Sequence, residues 1–304
     1  MCSLRAKGRA ISHADRLKIG RRLRLGMKTP YFDRIGIIWE IGIETRKKTM
    51  TLQYGREPSS PENPPAFNVP RVILVLLAIL IAIHLVRQVL SPAADFWVIL
   101  AFAFVPARYA TQLSSSLPGG VPADFWSFLT YAGLHGDGMH LTINCLWLTA
   151  FGSPVARRFG WQRFLLLSAI ATVGGAVAHL AARWGDFVPV VGASAAISGH
   201  MGAAIRFVFA APGLQAIGGS TDIVMRLPAL PLRDVLRNER VLAFLGVWFA
   251  LNLLFGLGSV AVPGMESVSV AWEAHIGGFV AGLLAFRWLD PIPRRPFRIV
   301  SNSE

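Results

Sequence analysis

The sequence predicts an all-α polytopic membrane protein with six transmembrane helices. Of its 304 residues, 53% are hydrophobic and 15% are charged, and the mean hydropathy of +0.49 is far above that of most soluble domains. Apolar runs long enough to cross a bilayer recur along the chain, and Lys and Arg are unevenly distributed between them. The lipid bilayer is therefore the first partner that the sequence predicts.

Six apolar stretches approach the length of roughly 20 residues that a helix needs to cross the hydrocarbon core. A further stretch, 95–110, is apolar but short and contains Pro106, so we expect an interfacial, partly re-entrant segment of the first loop there. A seventh span at this place is the main alternative. The six predicted spans are residues 71–91, 139–156, 161–182, 189–210, 240–258 and 269–289.

The positive charges predict the orientation. Cytoplasmic connections are enriched in Lys and Arg, and six spans with both termini in the cytoplasm leave only Arg108 and Arg183 in the outer loops. A seventh helix would move the Arg157–Arg158 pair outside. The arginines assigned to the inner side are Arg157, Arg158, Arg226, Arg233, Arg237, Arg294, Arg295 and Arg298.

Three regions follow from this topology. Residues 1–69 form a basic cytoplasmic extension and linker, 70–289 the membrane domain, and 290–304 a short basic tail. The first 50 residues carry 13 Lys and Arg against 4 Asp and Glu, without the compact apolar stretch of a signal peptide. The alternative is that residues 1–49 come from a misassigned start, because Met50 also opens a reasonable native sequence.

Charge and cysteine content exclude several classes of function. Most of the formal net charge of +13 comes from the N-terminal extension, so we expect no nucleic-acid partner. Cys2 and Cys145 form no plausible structural disulfide, and neither has metal-ligand spacing. A zinc protease is not predicted either, because no H-E-x-x-H motif occurs.

Polar side chains at the outer ends of three predicted spans are the candidate functional residues. His140 and Asn144 lie four residues apart on one helix face, with His135 just before them. Ser194 begins the fourth span, and His275 lies in the outer third of the sixth. Alone, each could serve packing or helix association, but their shared depth favours a single site.

These residue types suit nucleophilic catalysis. A serine hydroxyl is a weak nucleophile until a base takes its proton, and His275 can be that base and then the acid that protonates a leaving amine. His140, Asn144 and the backbone N–H of Ser194 can supply hydrogen bonds to an oxyanion. Gly192 allows a sharp turn and close backbone approach before Ser194.

Glycines predict close packing of the two helices that carry this pair. Gly199 follows Ser194, and Gly278 and Gly282 follow His275 in a G-x-x-x-G pattern. Small residues at such spacing let helix backbones approach within a membrane. A short hydrogen bond between Ser194 and His275 therefore becomes geometrically possible.

The motifs "HGDGMHLTIN", "GASAAISG" and "AHIGGFVAG", in this order, resemble those of the rhomboid intramembrane serine proteases over about residues 70–289. The resemblance implies a six-helix rhomboid-like bundle, a Ser194–His275 dyad without an acidic member, oxyanion support from His140 and Asn144, and no metal or organic cofactor. It also implies that the substrates are transmembrane proteins, cleaved in or near their membrane segments. The plain six-helix form is similar to that of prokaryotic members, which predicts a bacterial inner membrane.

Two positions depart from the common pattern of that family. Ala195 replaces the usual glycine after the nucleophile, and Ser198 replaces an aromatic residue that usually stacks on the catalytic histidine. The orientation of His275 must then come from elsewhere. Glu273 is two residues from His275 and so points about 200° away on a helix, and we expect it to face outward at the interface.

Two other functions stay open from the sequence. One is a catalytically weak or inactive relative that binds client transmembrane helices, and the other is a transporter or channel that uses the same polar face. Labelling by a serine-directed phosphonate discriminates the first from an enzyme. Solute flux that survives Ser194→Ala would indicate the second.

Overall fold

The computed structural model describes residues 69–110, 116–208, 228–256 and 271–292. Within these ranges the regular structure is helical, apart from one β-bridge that joins Phe104 to Val190, so the predicted all-α class is confirmed there. The extension 1–68 and most of the C-terminal tail lie outside the described residues. The helices are α1 Arg71–Gln88, α2 Pro92–Phe102, α3 Ala107–Ala110, α4 Gly120–Thr130, α5 Gly138–Trp147, α6 Ser153–Ala182, α7 Ser194–Ala204, α8 Leu232–Val235, α9 Glu239–Gly256 and α10 Trp272–Leu289.

A single glycine separates the second and third predicted spans. A π-helical turn, Leu148–Gly152, joins α5 to α6, so that helical structure runs from Gly138 to Ala182. Within it Gly160 adopts φ +74° and ψ 164°, which breaks the helix into 138–159 and 161–182. Glycine adopts positive φ at little steric cost, so the break falls at the residue that tolerates it best.

Two helical stretches in the described part of the chain are long and apolar enough to cross a membrane, namely Arg71–Gln88 and Gly138–Ala182. The six-span count therefore stays a prediction. The helix predicted over 189–210 begins only at Ser194 and is 11 residues long up to Ala204. Its expected first turn is non-helical because Val190 pairs with Phe104 and Gly192 adopts φ +122°.

The first loop contains two short helices of 11 residues, α2 and α4. Each is about 17 Å long at 1.5 Å per residue. Arg108 is buried between them and donates to the carbonyls of Leu100, at 2.6 Å, and Pro118, at 2.5 Å. Trp126 Nε1 donates to the Ala101 carbonyl at 2.8 Å. Arg108 and Trp126 thus hold the backbone of this loop together.

The helices α6, α7 and α10 form the centre of the fold, where glycines let their backbones touch. A Cβ on Gly278 would overlap the carbonyl of Ala195, and one on Gly282 would overlap the backbone of Gly199. On the other side, a Cβ on Gly174 would lie 2.5 Å from that of Ala281. Because lipid removes the hydrophobic driving force between helices, such close packing is what holds them together.

A buried ion pair closes the opposite end of this three-helix centre. Arg158 Nε and Nη2 donate to Asp290 Oδ1 and Oδ2 at 2.8 and 2.9 Å, and both side chains are almost fully buried. The Arg158 guanidinium also lies 4.7 Å from the ring centroid of Phe207. The end of α10 is therefore fixed to the chain that precedes Gly160.

Candidate active site

Three of the predicted functional residues lie in the first turns of their helices. Ser194 is the first residue of α7, His140 the third of α5 and His275 the fourth of α10. The first N–H groups of a helix lack partners within it, and the helix dipole places partial positive charge there. The surroundings therefore favour a negative charge that develops near Ser194.

The side chains of Ser194 and His275 form a direct hydrogen bond. Ser194 Oγ lies 2.7 Å from His275 Nε2, and both residues are half-buried. The contact joins α7 to α10 across the close approach of Ala195 and Gly278. It has the length and the partners that proton transfer from a serine to an imidazole requires.

The other ring nitrogen of His275 contacts a residue that sequence reasoning missed. His275 Nδ1 lies 2.5 Å from Oδ1 of Asn252, a buried residue of α9. Asn252 is the lone amide in the apolar run predicted over 240–258. The expectation that a polar side chain within a span has a function could have identified it.

Gly192 brings the chain against His140 just before the serine. A Cβ at this position would lie 2.8 Å from His140 Nε2, and 3.6 Å from Ser194 Oγ. The φ angle of +122° is one that residues with a Cβ rarely adopt. Only glycine therefore fits this turn, and the turn places His140 beside the Ser194–His275 pair.

The hydrogen bonds of His140 orient its ring. The backbone N–H of Gly136 donates to His140 Nδ1 at 3.5 Å, and Asp137 caps α5 by accepting from the His140 N–H at 2.7 Å. A neutral imidazole carries its proton on one nitrogen only, so an acceptor at Nδ1 leaves the N–H on Nε2. That N–H lies on the side of Gly192 and Ser194.

Asn144 and His135 lie farther from the pair. Asn144 is buried, and its Nδ2 donates to the His140 carbonyl at 2.9 Å on the same helix. His135 is buried in the preceding loop, with its ring centroid 5.2 Å from that of His140, and its carbonyl accepts from Arg87 at 2.6 Å. Burial, with a smaller contribution from His140, lowers the pKa of His135 to about 3, so its ring is neutral at physiological pH.

A second serine and histidine form a hydrogen bond of similar length between α6 and α7. Ser168 Oγ of α6 lies 2.8 Å from Nε2 of His200 of α7, whose ring stacks on Phe164. Ser168 donates its only hydroxyl proton to the Phe164 carbonyl at 2.8 Å. His200 must therefore be the donor in the contact with Ser168, and it has no lone pair at Nε2 to accept a proton.

Glu273 does not face outward as predicted. It is buried at the start of α10, where Oε1 accepts from Arg183 Nε at 2.7 Å and Oε2 lies 3.5 Å from His179 Nδ1. The ion pair with Arg183 offsets the cost of burying the carboxylate. Glu273 thus links the ends of α10 and α6, and its carboxylate points toward Arg183 and His179.

The chain belongs to the rhomboid family. The Rhomboid domain matches residues 122–289, which is more than half of the chain and includes every candidate site residue. Among the residues that the structure describes, no group of three or more His, Cys, Asp or Glu side chains is placed to hold a metal ion. The family and the site geometry therefore concern the same part of the molecule.

Individual relatives are similar to about half of the chain. The chain is 37% identical to the rhomboid protease GluP of Bacillus subtilis over 166 residues and 28% identical to RHOMBOID-like protein 4 of Arabidopsis thaliana over 159. It is 23% identical to the rhomboid protease GlpG of Serratia proteamaculans over 163 residues. Each match covers 52–54% of this chain, but only 25%, 32% and 48% of GluP, RHOMBOID-like protein 4 and GlpG.

Proposed function

We propose that the protein is an intramembrane serine endopeptidase that hydrolyses peptide bonds in or near the transmembrane segments of other membrane proteins. Ser194 is the nucleophile, and His275 is the general base and then the general acid. The observation that carries the proposal is the 2.7 Å contact between Ser194 Oγ and His275 Nε2 at the start of two helices. Membership of the rhomboid family supports it.

Acylation begins when His275 Nε2 takes the proton of Ser194 Oγ as that oxygen attacks the carbonyl carbon of the scissile bond. The tetrahedral intermediate carries its negative charge on the former carbonyl oxygen. When the C–N bond breaks, His275 gives the proton to the leaving amine. The products of this half-reaction are the free amine fragment and an ester of Ser194.

Deacylation repeats these steps with water. His275 takes a proton from a water molecule as the water oxygen attacks the ester. His275 then returns the proton to Ser194 Oγ as the C–O bond breaks. In both halves we assign stabilisation of the oxyanion to His140 Nε2–H, the N–H of Ser194 and the second N–H of the Asn144 amide. Loss of one such donor costs about 100-fold or more in rate.

Hydrolysis at this site requires water below the membrane surface. Ser194, His140 and His275 are each half-buried, which is compatible with a cavity that opens to the outer face. The substrates are transmembrane helices that are weak near their outer ends, because an extended strand exposes the carbonyl that Ser194 attacks. We propose that the enzyme lies in a bacterial inner membrane with both termini in the cytoplasm.

Labelling by a fluorescent fluorophosphonate tests the proposal directly. The detergent-purified protein should react at one serine, and Ser194→Ala and His275→Ala should each abolish the reaction. Ser168→Ala is the matched control, because Ser168 also lies 2.8 Å from a histidine but has already donated its proton. It should be labelled like the wild type.

Two results would contradict the proposal. A folded wild-type protein that does not react would favour a relative that binds client helices without cleaving them. Labelling that survives Ser194→Ala would show that another serine is activated.

If Ser194 is labelled as expected, a second assay tests peptide hydrolysis itself. The wild type should cleave a transmembrane test substrate in liposomes, and Ser194→Ala should not.

A further inference from the structure

We infer that Asn252 is a positioning residue for His275 and completes a Ser194–His275–Asn252 chain of hydrogen bonds. The inference rests on the proposed function, because it assigns the group that holds the general base in place. Asn252 lies on α9, a different helix from both other members of the chain. It is 8% exposed, although its neighbours Leu251 and Leu254 are 46% and 42% exposed, so it lies on the inward side of a helix that otherwise presents apolar side chains.

The orientation of the Asn252 amide is determined by its second hydrogen bond. Nδ2 lies 2.8 Å from the carbonyl oxygen of Trp248, one turn earlier on α9. A carbonyl oxygen can only accept, so the atom that faces it must be the NH2 group. The Oδ1 atom is therefore the one that faces His275, at 2.5 Å from Nδ1.

This orientation determines the tautomer of His275. An amide oxygen has no proton to donate, so His275 Nδ1 must carry the hydrogen in their contact. In the neutral ring the lone pair is then on Nε2, the atom that faces Ser194 Oγ. Asn252 thus holds the histidine in the form that can accept the serine proton, and its oxygen stabilises the imidazolium that results.

The same contact supplies an orienting group that α7 lacks. Position 198, one turn after the nucleophile, holds a buried serine whose Oγ donates back to the Ser194 carbonyl at 2.8 Å. The small Ser198 side chain provides no ring that could stack on His275. The hydrogen bond from Asn252 of α9 therefore orients the base instead. It is made at Nδ1, the ring nitrogen that does not face Ser194.

Three variants separate this role from a general effect on stability. Asn252→Leu has nearly the same size but no acceptor, Asn252→Asp keeps an acceptor oxygen at the same place, and Leu254→Ala truncates an exposed side chain of the same helix. For each, the limiting rate of fluorophosphonate labelling and the inhibitor concentration at half that rate are measured separately. Thermal unfolding in detergent shows that each variant is folded.

We expect Asn252→Leu to lower the limiting rate about 10- to 100-fold, as for loss of a hydrogen bond to a group that becomes charged, with the half-saturating concentration unchanged. Asn252→Asp should recover most of the rate, and Leu254→Ala should match the wild type. Nitrogen-15 NMR of labelled histidine supplies a second readout that stability alone does not affect. The wild type should hold His275 with its proton on Nδ1, and Asn252→Leu should show a mixture of tautomers.

The results distinguish the two proposals from each other. If the wild type reacts at Ser194 but folded Asn252→Leu reacts at the same rate and has the same tautomer, the role of Asn252 is overturned and the proposed function stands. If the wild type does not react at Ser194, the proposed function fails. A wild-type His275 with its proton on Nε2 would overturn the inference whatever the labelling result.

Discussion

The described part of the molecule contains two serine–histidine contacts of almost equal length, and they differ in the groups that surround each pair. In the outer pair Ser194 Oγ lies 2.7 Å from His275 Nε2, and Asn252 occupies the other ring nitrogen. In the inner pair Ser168 Oγ lies 2.8 Å from His200 Nε2, and Ser168 gives its proton to a backbone carbonyl. The proposed mechanism requires the histidine to accept in the first pair, whereas in the second the hydroxyl proton of Ser168 is used on the Phe164 carbonyl.

This difference shows that distance alone does not identify a nucleophile. In the inner pair His200 is only 1% exposed, although Ser168 is half-buried, whereas both Ser194 and His275 are half-buried beside the turn at Gly192. The acceptors around each serine decide whether its proton is available, and access decides whether a substrate or water can reach it. The inner pair is therefore a helix contact, and the outer pair is the candidate site.

The strongest way to break the outer pair is to separate the helices that carry it. In Gly278→Ala the new Cβ would overlap the backbone carbonyl of Ala195, which cannot move without shifting α7. We expect the free energy of unfolding in detergent to fall by about 3 kcal/mol or more, with fluorophosphonate labelling lost as well. Gly246→Ala is the control, because nothing lies within 4 Å of a Cβ there, and it should retain both stability and labelling.

A change at Gly192 should affect catalysis more than folding. An alanine there is strained at φ +122°, and its Cβ would displace His140 from beside Ser194. We expect labelling to slow about 100-fold, as for loss of an oxyanion donor, while the protein stays folded. Gly138→Ala, at an open position in the first turn of α5, should react at the wild-type rate. Equal rates for both variants would remove His140 from the site.

The inner pair should contribute to stability without affecting the reaction. His200→Leu removes a donor to Ser168 and the ring that stacks on Phe164, so the free energy of unfolding should fall by about 1 to 2 kcal/mol. The labelling rate of the folded variant should stay within about twofold of the wild type, which corresponds to a change of less than about 0.5 kcal/mol in the activation free energy. A large loss of rate would show that the two pairs are coupled through α7.

The smallest effect is expected at Glu273. Arg183 is 42% exposed and can return to water when its partner is changed, and Gln still accepts a hydrogen bond. Glu273→Gln should therefore change the free energy of unfolding by less than about 0.5 kcal/mol and leave labelling intact. A strong loss of labelling would mean that Glu273 acts on His275 after all, as the acidic member that the proposed chain does not contain.

The sequence predicted much of the arrangement because its signals are local. Apolar run lengths predicted helices close to the observed α1, α9 and α10, and Gly160 falls at the predicted boundary between 156 and 161. The start of α7 was predicted too early, because the pairing of Val190 with Phe104 depends on residues more than 80 positions apart. The catalytic roles of Ser194, His275, His140 and Asn144 stay predictions.

By itself, the sequence determined the helical class, the family and the residues of the candidate nucleophile and base, since each depends on composition or on residues close together in the chain. Only the tertiary structure decided which side chains surround these two residues. Asn252 reaches His275 from a separate helix, and Glu273 turns inward because Arg183 of another segment meets it. The availability of a serine proton also depends on the tertiary structure, because the acceptors that surround the hydroxyl group in space determine whether it can react.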